Sequence, residues 1–201
     1  SIGLDFRSES KLKFSGIADV SAPSALLSLI PAGDITAPVT LPYNATIGLA
    51  LVPSKELTVS ADFQYIGWSS YDKMEITFTE TGYVSTSPRN YTDAWIARLG
   101  AEYALSKEFD LRGGLLYDNN PVEDEYVEPS LPDSDRLGLN IGLGYKITSS
   151  LSIDLAYMFL RFSERTIENS HVDYTSGAAG FDGTYNSSAH LFGINFSYLI
   201  N

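Results

Sequence analysis

Read at every second position, residues 137–147 (LGLNIGLGYKI) separate into two rows. Leu137, Leu139, Ile141, Leu143, Tyr145 and Ile147 make one row; Gly138, Asn140, Gly142, Gly144 and Lys146 make the other. A β-strand sends successive side chains to opposite faces, so this strand has one bulky apolar side and one small or polar side. A packed soluble core takes bulk from both of its walls. A strand whose bulky row meets lipid, with a wet lumen behind the bare row, does not.

The same alternation recurs along the chain. Ile2, Leu4, Phe6, Leu12 and Phe14 alternate with Gly3, Asp5, Arg7, Lys11 and Lys13 in one expected strand over 2–14. Further strands are expected over 43–52, 57–65 (running on through Trp68 towards Phe78), 91–105, 109–117, 151–159 and 190–200. Tight turns fall at Ser54, Lys107 and Ser149, and their hairpins echo one another: VPSKELTVSADF, ALSKEFDLRGGL, KITSSLSIDLAY. Long connections fall at 17–40, 79–90, 118–135 and 164–183. Short turns on one rim and long loops on the other describe an all-β, antiparallel, up-and-down transmembrane β-barrel, with eight strands in this chain. Aromatic residues gather near strand ends as two girdles: Tyr43, Trp95, Tyr117 and Phe159 by the long loops, Tyr103, Phe109, Tyr145 and Tyr198 by the short turns.

Composition narrows the function. The 201 residues carry a net charge of −12 and a pI near 4.4, with no basic patch, which excludes nucleic acid as a partner. There is no cysteine, hence no disulfide framework or thiolate site. No apolar run approaches the roughly 18 residues of a membrane helix. The chain begins at Ser1 in a strand-like pattern, as a mature chain or a fragment would. His171 and His190 have no partner at metal-ligand spacing, and no G-x-S-x-G elbow occurs, so neither catalytic residue, metal nor cofactor is expected. The acidic run Glu123, Asp124, Glu125, Glu128, Asp133, Asp135 lacks the pattern of a calcium loop and reads as a solvated face. Two constellations remain. Arg98, Glu102, Arg112, Asp62 and Asp154 share the inward face, and the turn at Ser106 brings Glu102 opposite Arg112 as a lumen ion pair. Arg98 and Arg112 are alternatively forked receptors for a ligand carboxylate. In the loop 17–40, where one helical turn is expected, Leu26, Leu27, Leu29 and Ile30 form a greasy cluster that packs on itself or contacts ligand.

Several runs carry a resemblance. D-N-N-P-V (118–122), P-D-S-D-R (132–136) and the following L-x-L-x-x-G-L-G-Y are similar to the FadL family of outer-membrane long-chain fatty acid and hydrocarbon transporters. F-R-S-E-S-K-L-K-F (6–14), the Trp68 region, D-A-W-I-A-R-L-G (93–100) and L-F-G-I-N-F-S-Y (191–198) resemble the same family, in its order, over nearly the whole chain. The family's motif would rest here on Asp118, Pro121, Val122, Pro132, Asp133, Asp135 and Arg136. The resemblance implies the C-terminal part of a barrel of about fourteen strands, completed by missing N-terminal strands and a plug of the same protein. It implies location in the bacterial outer membrane, contact with its lipid, and passive transport of a hydrophobic small-molecule ligand. The 17–40 loop would belong to a greasy outer capture site. Thr92 and the acidic filling between Pro121 and Pro132 depart from the family pattern, leaving neutral hydrophobic compounds open beside fatty acids. The alternative is a small structural or adhesive barrel closed at eight strands.

Overall fold

The computed structural model describes residues 1–23, 30–168, 170–171 and 180–200; Leu26, Leu27 and Leu29 of the greasy cluster, with the helical turn expected there, lie outside them. In chain order the strands are β1 (Ile2–Arg7), β2 (Ser10–Ala18), β3 (Gly33–Leu41), β4 (Asn44–Leu51), β5 (Leu57–Ile66), β6 (Lys73–Phe78), β7 (Val84–Pro88), β8 (Ala94–Ala104), β9 (Phe109–Asp118), β10 (Arg136–Lys146), β11 (Leu151–Phe162), β12 (Arg165–Ile167), β13 (Gly183–Tyr185) and β14 (Ser188–Tyr198). Eight of them form one antiparallel sheet in the order β1-β4-β5-β8-β9-β10-β11-β14. Among the described residues β1 pairs only with β4 and β14 only with β11, so the sheet does not close on itself.

The register puts like with like. Leu139 stands opposite Leu115 and Phe159, Leu115 opposite Leu99, Leu99 opposite Ala61 and Ala61 opposite Leu49. The next row, Gly138–Leu116–Arg98–Asp62–Gly48, falls on the other face. The apolar face is bare: Ile141 is 64% exposed and Phe192 81%. Buried apolar side chains among the described residues are Ala94, Val122, Val127 and Ile167, none of them on that face. A sandwich would bury this row against a second sheet; here it is left bare.

The short turns are built alike. Ser54 Oγ accepts from the Glu56 N–H at 3.3 Å, Ser106 Oγ from Glu108 and Phe109 at 3.1 and 3.2 Å, and Thr148 Oγ1 from Ser150 and Leu151 at 3.2 and 3.0 Å. A hydroxyl that takes up the N–H groups of a tight reversal explains the echo of the three hairpins.

The other rim departs from the sequence reading. The segment 17–40 is not mainly loop. Arg7 stands opposite Asn44 and Ser10 opposite Leu41, so the β1–β4 register carries on unbroken into β2–β3. The two pairs make one long hairpin, and the expected strand over 2–14 is its first arm, interrupted at Ser8–Glu9. Seventeen residues at about 3.3 Å each reach about 55 Å, well beyond the ~30 Å of a hydrocarbon core. Alternation stays visible in β2, whereas Ala, Pro and Thr in β3 hide it. The strand expected to run from 57 through Trp68 towards Phe78 does so in two pieces: β5 pauses after Ile66 and resumes as β6, which ends at Phe78. A 3-10 turn at Trp68–Ser70 interrupts the strand without reversing it: β5 is antiparallel to β4 and β6 to β3, on the same arm, and β6 meets that arm through Ile35–Phe78 and Thr36–Thr77. The 79–90 segment contains β7, which completes a four-stranded sheet β2-β3-β6-β7 outside the barrel wall. The 164–183 segment contains the short pair β12–β13.

Candidate ligand cavity and polar-face ion pairs

Near the short turns, Arg112 on β9 organises the polar face. Its Nε donates to Glu102 on β8 at 2.6 Å, and its Nη1 donates to Asp154 on β11 at 2.7 Å. The second bond steps over β10. It can do so because residue 144 is glycine: a Cβ there would stand 3.0 Å from Asp154 Oδ1 and 3.1 Å from Arg112 Nη1. Asn195 Nδ2 lies 3.5 Å from Asp154 and 3.1 Å from Ser197, and Lys146 pairs with Asp110 at 3.4 Å. One layer up, Arg98 donates to Asp62 at 2.7 Å and to Gln64 at 3.0 Å. Glu102 and Arg112 are therefore direct partners. Both guanidinium groups named as possible carboxylate receptors already hold acidic partners of this chain.

At the opposite end of the same face lies a cavity of about 500 Å³. Its floor comes from Ile66, Ala94, Ile96, Asp118 and Arg136, all of polar-face parity; Trp68, Tyr71 and Tyr91 form one wall, and segment 119–133 the other. Tyr91 meets Trp68 edge-on at 6.0 Å and Tyr71 at 5.3 Å, an arrangement aromatic quadrupoles favour. Burial pushes the Tyr91 hydroxyl pKa upward. Arg89 is paired with Glu128 across the cavity; burial is the largest single influence and opposes its charge, but the hydrogen bonds and charges of Glu128 and Tyr71 together outweigh it and raise its pKa.

The family-like runs build the second wall. Arg136 Nη2 lies 3.0 Å from Asp118 and 3.7 Å from Asp133, with its guanidinium 5.5 Å over the Phe162 ring. Asp135 accepts from Tyr117 Oη at 2.6 Å and from the Asn120 N–H at 2.9 Å, so it fixes the start of the loop against its end. Thr92 N–H donates to the Pro121 carbonyl at 2.9 Å. Val122 is buried with Val127 and Ile167, against Tyr91, Tyr126 and Tyr185. Pro132 leads into Asp133, whose carboxylate accepts from the Ser134 N–H at 3.0 Å. Of the greasy cluster only Ile30 is described; it is 38% exposed.

Sequence reasoning missed two contributors. Arg165 clasps the loop from β12: Nε to Asp124 at 2.5 Å, Nη1 to the Asp133 carbonyl at 2.9 Å, Nη2 to the Val122 carbonyl at 2.5 Å. A lone arginine in a polar segment gives no signal of this. Trp68, Tyr71, Arg89 and Tyr91 meet because Ile66 stands opposite Ala94 and Lys73 opposite Pro88, which sets 67–72 against 89–93, and their spacing along the chain carries no period. The acidic run is not simply a solvated face either: Asp124, Glu128 and Asp133 each pair with an arginine.

An open antiparallel sheet with a bare apolar face, short turns on one rim and a loop-roofed cavity inside the other is part of an outer-membrane β-barrel. The chain belongs to the outer membrane protein transport family (OMPP1/FadL/TodX), whose model matches residues 1–199. This is a family of transport proteins rather than enzymes. The chain is 30% identical to outer membrane protein P1 of Haemophilus influenzae over 206 residues, covering 98% of this chain and 43% of that protein. It is 26% identical to the long-chain fatty acid transport protein of Escherichia coli O6:H1 over 211 residues, covering 98% and 45%. In fold it resembles a Pseudomonas aeruginosa FadL homologue (TM-score 0.88, 21% identity, 98% of this chain and 48% of that one). It also resembles the Pseudomonas putida toluene transporter TodX (TM-score 0.68, 18% identity, 100% and 45%). The chain thus spans a little under half the length of the relatives it matches.

Proposed function

We propose that this chain forms part of a passive outer-membrane channel for hydrophobic small molecules, and that the cavity beneath 119–133 receives the molecule inside the barrel. The observation that carries this is a cavity of about 500 Å³ walled by Trp68, Tyr71 and Tyr91 on the inward face of the sheet. Ligand sites are typically concave, mostly apolar and of this size, with a few convergent polar groups. No residue here is asked to perform a chemical step. The apolar row is in contact with outer-membrane lipid. The edges of β1 and β14 pair with further strands of the same protein, and a plug occupies the lumen. Support for that part is energetic: each bare N–H or C=O in hydrocarbon costs several kcal/mol. Of the arginines named from the sequence, Arg98 and Arg112 serve as internal ion pairs; Ile30 and its neighbours serve capture at the outer rim.

The test is uptake of labelled toluene and oleate by cells stripped of their own hydrophobic-compound channels and expressing the full-length protein. Uptake above that of the stripped cells, lost when Ile96→Trp fills the cavity floor, supports the reading. Uptake no faster than in the stripped cells, with the protein folded by heat-modifiable gel migration, refutes it.

A further inference from the structure

The charges facing the cavity select the class of molecule, given that the cavity is a ligand site as proposed above. Two cations line it, Arg89 and Arg136, against three carboxylates, Asp118, Glu128 and Asp133. Arg89 is committed to Glu128, and both side chains are largely buried, at 13% and 21% exposure. Arg136 is shared between Asp118 and Asp133. One layer deeper, Arg98 is held by Asp62 and Gln64. Every guanidinium at or just below the cavity therefore has an internal carboxylate, and the lining sums to one negative charge. A ligand carboxylate could win an arginine only by displacing an acid that would then stand buried and unpaired, which is the costly way to break a buried ion pair. The walls offer what an uncharged ring needs instead: Tyr91 in edge contact with both Trp68 and Tyr71. Asn119 and the tyrosines on the same lining carry neutral hydrogen-bonding groups that suit one neutral oxygen.

We infer that the cavity takes an uncharged aromatic compound, with room for one neutral hydrogen-bonding oxygen, and rejects the same skeleton as a carboxylate. The matched probes are 2-naphthalenemethanol and 2-naphthoate, measured at neutral pH by equilibrium dialysis against the full-length protein in lipid nanodiscs, with empty nanodiscs as blank. The alcohol is expected to bind at least roughly tenfold more tightly, a modest demand for one added charge near a net negative, half-buried site. Glu128→Gln, which releases Arg89, shrinks the alcohol-over-naphthoate affinity ratio roughly tenfold; Asp118→Asn, releasing Arg136, is the second variant should the first not fold. Naphthoate binding as tightly as the alcohol to the wild-type protein overturns the inference on ligand class while leaving the cavity a ligand site. Absence of saturable binding by either probe, or equal binding to Ile96→Trp, removes the cavity as a site and this inference with it.

Discussion

Ile141 gives the sharpest test of how the sheet meets the membrane. It lies midway between the aromatic rings of the two rims. Leu137, four residues above it, stands opposite Tyr117, and Tyr145, four residues below, stands opposite Phe109, with which it stacks at 4.5 Å. Four residues at about 3.4 Å, tilted by about 40°, put each ring about 10 Å from Ile141 in depth. Ile141 is 64% exposed, so replacing it removes little packing within the protein. The cost of Ile141→Arg is then almost wholly that of placing a guanidinium at the bilayer midplane, about 2–4 kcal/mol. That is a shift of roughly 30- to 900-fold in the folding equilibrium. Leu137→Arg, at the level of the upper ring, should cost only about 0–1 kcal/mol. Asn140→Arg is the internal control. It is one residue from Ile141 but on the other, polar face, beside Gly114 and Met158. Its cost should stay below about 1 kcal/mol. The assay is guanidinium-induced unfolding of the full-length protein in lipid vesicles, followed by tryptophan fluorescence. Equal costs for Ile141→Arg and Asn140→Arg, or no dependence on depth from 137 to 141, would refute the assignment of faces.

Two further outcomes follow from particular contacts. Gly144→Val should separate Arg112 from Asp154 while sparing Glu102, costing about 1–2 kcal/mol in the same assay; Gly142→Ala, where the nearest atoms are 3.4 Å away, should cost clearly less, and the reverse ranking would show that Gly144 does not clear the Arg112 path. At the outer rim, Asp93 accepts from Tyr65 Oη at 2.6 Å and from the Ser69 N–H at 2.9 Å, and these bonds lower its pKa. Its contribution is thus fully present above the unfolded pKa of about 3.9 and is lost as pH falls through the lower folded value. Asp93→Asn should flatten the acid limb of stability below about pH 4, and an unchanged limb would mean the rim contact contributes nothing.

The sequence by itself determined the strands of the barrel wall, their facing and their tight turns. Those features have period two and short range: Leu139 lies on the bare apolar face because Gly138 and Asn140 lie on the other, and Ser106 closes its turn with N–H groups two and three residues on. It also paired Glu102 with Arg112, since a hairpin turn fixes which residues oppose each other. Only the tertiary structure decided the outer rim. The long hairpin arm was read as loop because Ala37, Pro38 and Thr40 carry no apolar rhythm, and its register is inherited from β1 and β4. The pairing of β6 with β3 is a contact between residues some forty positions apart, which no local pattern records. The cavity is the same case. Trp68, Arg89, Glu128 and Arg136 come from four separate segments, and Arg165 from a fifth. Nothing in the local pattern of any one stretch says that these residues meet. Their common purpose exists only where loops of unrelated spacing are brought to one end of the sheet, because pairing of charges and stacking of rings depend on distance in space rather than along the chain.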